Sequence, residues 1–173
     1  MLLVGSGNNG GDALYAGAHL ARRGSRCTRC ARASARTRTG SRLCDGRRAG
    51  RRPHGHRSAG PVVARGGGIL GADVVLDGLV GIGATGALRG VAGDLVQVLA
   101  GELAQSSGPG ARRPWVIAVD VPSGIGVDDG SVPGPVLPAD RTVTFGATKP
   151  GLLLPPATHL AGVARSSTWG WAS

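Results

Sequence analysis

Short apolar runs separated by segments of helical period organise most of this chain. Leu2-Leu3-Val4 reads as a buried strand entering the string Gly5-Ser6-Gly7-Asn8-Asn9-Gly10-Gly11. Ala13, Leu14, Ala16, Gly17, Leu20 and Ala21 then recur at the spacing of one helix face, with Asp12 as the expected N-cap. The alternation resumes over residues 69–160. Val74-Val75-Leu76 predicts a strand ending at Asp77, and Val91 to Ala104 predicts a helix. Val116-Ile117-Ala118-Val119 predicts a strand ending at Asp120, Thr142 to Phe145 another, and Leu152-Leu153-Leu154 a last short one. Apolar strands alternating with helices indicate a sheet covered on both faces. The expected fold is therefore α/β, a Rossmann-like three-layer α/β/α arrangement with a mostly parallel sheet. Ligands bind such sheets beyond the carboxyl ends of the strands, where the glycine loop, Asp77 and Asp120 all fall.

Composition changes this picture in one region only. The 173 residues suffice for one domain with one core, which Val, Leu, Ile and Ala must fill because aromatics make up only 3%. No run of about 18 apolar residues suggests a membrane span, and Met1 to Val4 is too short and lacks the basic start of a signal peptide. The expected location is cytoplasmic. The net charge of +10 comes from residues 22–65, which hold 14 arginines and a single acid, Asp45. The rest of the chain is mildly acidic, so the charge is not a property of the globular part. Nor does the basic stretch carry aromatic residues to stack on bases, so a nucleic-acid partner is not expected. Cys27 and Cys30, with Cys44, His54 and His56 behind them, fit no regular zinc spacing.

Gly5 to Gly10 matches G-x-G-x-x-G between a strand and a helix, a loop whose backbone N–H groups and helix N-terminus can hold phosphate. The acidic residue about 20 positions on that accompanies ordinary NAD binding is missing. The longer string from Gly5 to Asp12 resembles the signature of the NAD(P)H-hydrate epimerase family, the N-terminal domain type of the YjeF proteins. Three further segments resemble that family's motifs in order. They are Asp77-Gly78-Leu79-Val80-Gly81-Ile82-Gly83, then Val119-Asp120-Val121-Pro122-Ser123-Gly124, then Thr144-Phe145-Gly146-Ala147-Thr148-Lys149-Pro150-Gly151.

The resemblance implies an isomerase that interconverts the R and S epimers of hydrated NADH or NADPH in cofactor repair. It implies that Asn8, Asn9, Gly10, Gly11 and Asp12 bind the hydrated dinucleotide, and that Gly81, Ile82, Gly83, Ala84, Thr85, Gly86 and Ala87 grip its phosphate or ribose region. Asp120 is expected near the reacting ring, and Asn9, Asp77 and Ser123 are expected to coordinate one potassium ion per subunit. Amide, carboxylate and hydroxyl are oxygen donors, suited to a hard cation and not to zinc. An isolated strand-end aspartate commonly caps a helix, but Asp77 and Asp120 both stand in matching motifs. The resemblance also admits a homodimer and, in a full-length protein, an ADP/ATP-dependent NAD(P)H-hydrate dehydratase domain.

The carbon to be inverted in such a substrate carries both a hydroxyl and the ring nitrogen. The nitrogen lone pair can expel the hydroxyl, or the ring can open, and either route loses the centre and rebuilds it. A group must donate and recover a proton, the role assigned here to Asp120, with Lys149 as a lesser candidate. The alternatives are an NAD(P)-dependent oxidoreductase-type Rossmann domain and a nucleotide-binding module without turnover. The paired asparagines and the D-x-P-S-G loop speak against the first.

Residues 24–67 show neither helical nor strand period, and Lys149 is the only lysine among 20 basic residues. Arginine codons are GC-rich and lysine codons are not, which suggests a GC-rich gene. Joining each codon's third base to the next codon's first two, with GC-rich wobble bases, turns Gly40 to Gly46 into Leu-Ala-Ala-Leu-Arg-Arg. The same shift turns Arg165 to Trp171 into an apolar strand-like segment. The chain is thus expected to be a single partial epimerase domain over residues 1–173. In it, 24–67 is an irregular, out-of-frame stretch and 164–173 an out-of-frame tail. Lacking the family's helical segment before the first strand, it reads as an N-terminally truncated member whose lost strand-helix unit leaves a sheet edge exposed.

Overall fold

The computed structural model describes residues 1–26, 30–32 (as backbone), 69–83, 85–106 and 112–167, and among these described residues two α-helices, six short strands and three 3-10 turns account for the regular structure. The side chains of the Cys27, Cys30, Cys44, His54 and His56 group lie outside the described residues, as do Ala84 and positions 168–173 of the tail.

The strands are β1 (Leu2–Val4), β2 (Cys30–Arg32), β3 (Val74–Gly78), β4 (Trp115–Val119), β5 (Arg141–Phe145) and β6 (Val163–Ser167). They form one sheet in the order β2-β1-β3-β4-β5-β6, and every pairing is parallel where a mostly parallel sheet was expected. Helix α1 (Asn8–Arg22) follows β1, and α2 (Gly90–Gln105) follows β3. Alternate residues of a strand point to opposite faces, and the core divides accordingly. Leu2, Val4 and Leu76 cluster with Leu14 of α1. Leu3, Val75 and Val116 cluster with Leu95, Val96, Leu99 and Leu103 of α2. The two helices therefore cover opposite faces, giving the three layers expected. A third cluster, of Val121, Ile125, Val127, Val136, Leu152, Ala157 and Ala161, packs beneath the loops after β4 and β5.

Leu3 is fully buried at the centre of the α2 face. Leu3→Ala is expected to lower unfolding free energy by about 3 kcal/mol, the usual cost of a core Leu-to-Ala cavity, measured as a shift in the urea midpoint at constant slope.

The structure corrects three sequence expectations. Asp12 does not cap α1: the helix begins at Asn8 with Gly7 in the cap position, so Asp12 sits in the second turn. Leu152-Leu153-Leu154 is not a strand. Pro150 opens a 3-10 turn over Pro150–Leu152, Leu152 is buried, and Leu153 is 65% exposed. Proline fixes its own φ and lacks the N–H that a ladder requires, so a turn wins over a strand here. Finally, the arginine-rich stretch contributes a three-residue strand, β2, beside β1, at the edge expected to be bare. At the opposite edge, β6 pairs with β5 from Arg141↔Val163 to Phe145↔Ser167. Its residues are mostly exposed, and ladder bonds use backbone groups, which a polar edge sequence still supplies.

Candidate functional site

The strand order reverses direction between β1 and β3, the position at which open parallel sheets leave a crevice beyond their carboxyl ends. A cavity of about 620 Å³ opens there. Its walls are Ser6 to Asn9 and Asp12 from the glycine loop and α1, Leu79 to Gly83 from the loop after β3, and Asp120, Phe145 and Lys149 from beyond β4 and β5.

Close backbone approach shapes the first wall. A Cβ built on Gly5 would stand 1.7 Å from the Leu79 carbonyl oxygen, and one on Gly10 would stand 2.2 Å from the Gly5 carbonyl oxygen. Gly5 N donates to Gly78 O at 3.0 Å, stitching the loop to β3. Only residues without a side chain let the start of α1 press against the neighbouring loop, which brings Asn9 beneath Gly81.

Asn9, Asp77 and Ser123, distant in sequence, meet around the Val80 peptide group. Asn9 Nδ2 donates to Val80 O at 2.8 Å. Val80 N donates to Ser123 Oγ at 3.1 Å, and Ser123 Oγ donates to Asp77 Oδ1 at 2.6 Å. Ser123 N adds a 2.9 Å bond to Asp77 Oδ2, and Leu79 N a 3.3 Å bond to Oδ1. Asp77 and Ser123 are fully buried. Burial pushes the Asp77 carboxyl above the ordinary carboxylate range, while the hydrogen bonds from Ser123 and Leu79 pull it down.

A second cluster forms where β4 ends. Asp120 has φ 69°, the only left-handed residue besides glycine among the described residues, and its backbone N–H donates to Val143 O at 2.7 Å. This conformation is uncommon outside glycine and gathers at functional positions, where surrounding contacts hold it. Three donors converge on Asp120 Oδ1: Lys149 Nζ at 2.5 Å, Thr144 Oγ1 at 3.2 Å and Phe145 N at 3.2 Å. Lys149 Nζ also donates to Thr144 Oγ1 at 2.9 Å and to Phe145 O at 2.7 Å. Lys149 is thus a fixed partner of Asp120 and not a solvated charge, since their side chains are only 13% and 11% exposed.

Of the residues singled out by sequence, Asn8, Asn9, Asp12, Gly81, Ile82, Gly83, Asp120 and Lys149 line the cavity. Gly10 is buried and Gly11 exposed in the first turn of α1, neither of them lining the cavity, and Asp77 and Ser123 lie beneath it. Thr85, Gly86 and Ala87 are not among the lining residues. Sequence reasoning did not single out the Val80 carbonyl, which carries no side-chain signal. Thr144 and Phe145 were legible as members of a motif, but their bonds to Asp120 were not.

An entirely parallel sheet, helices on both faces and a polar crevice at the strand-order reversal define a Rossmann-like α/β domain. The family described as "YjeF-related protein N-terminus" matches residues 1–151, and this chain belongs to it. An NAD(P)H-hydrate epimerase of Clavibacter michiganensis subsp. michiganensis is 43% identical over 94% of this chain and 68% of its own length. The bifunctional NAD(P)H-hydrate repair enzyme Nnr of Mycobacterium tuberculosis is 39% identical over 86% of this chain and 27% of that protein. The crystal structure of yeast YNL200c shares the fold, with a TM-score of 0.57 at 20% identity, covering 98% of this chain and 65% of that one.

Proposed function

We propose that this chain is an isomerase that interconverts the R and S epimers of hydrated NADH and NADPH. The observation that carries the reading is the cavity itself, where a glycine loop at a helix N-terminus faces the Asp120–Lys149 pair across the switch point. One end suits the phosphates of a dinucleotide, because the first N–H groups of α1 have no partner within the helix. The other end suits proton transfer at a hydroxylated ring carbon.

Asp120 is the group assigned to the reacting centre. Its Oδ1 is held by three donors, and no hydrogen bond from a described residue reaches Oδ2. That oxygen is left for a proton of the substrate hydroxyl or of an incoming water. Lys149 orients the carboxylate and, as a cation beside the cavity, attracts the anionic dinucleotide. Loop residues Gly81 to Gly83, which line the cavity, grip the phosphate or ribose region. Purified R or S epimer incubated with the chain should equilibrate, as followed by chromatography. Unchanged epimers, or hydride transfer to a carbonyl substrate in their place, would refute the reading.

The donor chemistry fits a potassium ion. Asn9 Oδ1, the Asp77 carboxylate, Ser123 Oγ and the Val80 carbonyl supply oxygens only, and Asp77 is buried without a cation among the described residues. An ion held there would supply positive charge to Asp77 and tie the β3 loop to the Ser123 loop. Melting temperature is expected to rise when potassium replaces tetramethylammonium as the only cation, and the rise should vanish in Ser123→Ala. Equal melting temperatures in both salts for the parent chain would remove the ion from this reading.

The same reading takes residues 1–173 as one epimerase domain in which 24–67 and 164–173 are translated in a shifted frame. Stop codons in the shifted frame of the coding DNA would exclude that. A cytoplasmic enzyme acting as a homodimer, beside or fused to an ADP/ATP-dependent NAD(P)H-hydrate dehydratase, completes the proposal.

A further inference from the structure

Among the described residues, three titratable side chains line the cavity: Asp12, Asp120 and Lys149. Two of them are engaged with each other. Asp12 stands apart. It comes from the second turn of α1, on a different wall from Asp120, and is half-buried. No hydrogen bond or ion pair joins its carboxylate to another described residue. A carboxylate at this place does not stabilise the fold by capping, since α1 starts four residues earlier.

We infer that Asp12 is the second acid–base residue of this cavity, sharing with Asp120 the one proton that inversion of the hydrate carbon requires. The inference rests on the epimerase reading above. Inversion needs a proton delivered where the hydroxyl leaves and a proton removed where water returns on the opposite face. A single carboxylate fixed by three donors to one oxygen serves one face well and the other poorly. Two carboxylates on different walls serve both.

In one direction, protonated Asp12 gives its proton to the departing hydroxyl. The C–O bond breaks, its electron pair leaves with the oxygen as water, and the ring nitrogen's lone pair forms a C=N bond. Water then adds from the other face. Its oxygen makes the new C–O bond, the C=N pair returns to nitrogen, and the surplus proton passes to Asp120 Oδ2. The opposite conversion runs these steps backwards, and return of the proton from Asp120 to Asp12 resets the pair. Electrostatics favour the assignment. Burial first, and the negative charge of Asp120 second, push the Asp12 carboxyl above the ordinary carboxylate range. A group so shifted holds a proton more readily than a solvated aspartate. Lys149, the remaining charged group on the cavity, is bound to Asp120 at 2.5 Å.

The test compares the parent chain with Asp12→Asn and Asp12→Glu, starting from each pure epimer and recording kcat and KM separately. Asp12→Asn is expected to lower kcat about a hundredfold in both directions, a typical loss for a general acid–base group, with KM changed less than about threefold. Asp12→Glu should recover most of the rate, and the parent's pH dependence should lose one limb in Asp12→Asn. Melting temperatures of both variants are read alongside, and recovery in Asp12→Glu separates lost chemistry from lost fold. An active parent with an unimpaired Asp12→Asn, or a loss confined to KM, overturns the assignment alone. A parent that leaves both epimers unchanged overturns the epimerase reading and this assignment with it.

Discussion

Replacing Asp120 with asparagine is expected to slow epimer equilibration by about 10²–10⁴-fold, the range over which positioned acid–base groups act. Asparagine is the informative substitution because of the backbone. Asp120 sits at φ 69°, and asparagine is one of the few residues that adopts the left-handed region without marked strain. Asp120→Asn should therefore keep the melting temperature of the parent while losing the carboxylate that Lys149, Thr144 and Phe145 hold in place. Asp120→Ala should lose the same activity and also about 1–2 kcal/mol of stability, from placing alanine in that conformation. A chromatographic time course from either epimer, paired with urea unfolding, separates the two effects. An asparagine variant that equilibrates the epimers at the parent rate removes Asp120 from the chemistry.

Gly5→Ala should produce the largest loss of stability, about 4 kcal/mol or more, and a chain largely unable to fold. The new methyl group would fall 1.7 Å from the Leu79 carbonyl oxygen, and neither atom can move without displacing backbone. Gly5 follows directly on β1, and its N–H bonds to Gly78 O, so any shift opens the β1–β3 seam that underlies the cavity. By contrast, a Cβ on Gly11, one helical position past Gly10, would meet nothing within 4 Å. Gly11→Ala is the matched control and should unfold within about 0.5 kcal/mol of the parent, as surface substitutions commonly do. Comparable losses in the two variants would show that the close approach at Gly5 does not constrain the fold.

Four of the six strands and both helices were legible because their signals are local. Leu2 to Val4, Val74 to Leu76, Val116 to Val119 and Thr142 to Phe145 are apolar runs or alternations bounded by glycine and aspartate, and each proved a strand within a residue or so. The strand β2 was not legible, because a three-residue edge element needs only free backbone groups on its neighbour and leaves no period in the sequence. The strand β6 stayed hidden for a related reason. Its Val-Ala-Arg-Ser-Ser run is mostly exposed, so no burial pattern marks it. Leu152-Leu153-Leu154 misled in the opposite sense, since an apolar run beside prolines satisfies the strand pattern yet cannot extend a ladder.

The amino-acid sequence alone determined the class of sheet, the chemical types at its carboxyl edge and their order along the chain. These follow from side-chain periodicity and motif spacing, which chain neighbours encode. Only the tertiary structure decided through which contacts those residues meet. Lys149 lies 29 residues from Asp120, and Ser123 lies 46 from Asp77, yet each pair is in hydrogen-bond contact. The Val80 carbonyl joins Asn9 to that second pair without any side chain of its own. Strand order is the physical reason. Several orders bury the same apolar runs equally well, but only the order β1-β3-β4-β5 places those loop ends side by side. Asp12 shows the same division. Its sequence position marked it as a helix cap, and packing of α1 against the sheet made it a wall of the cavity facing Asp120.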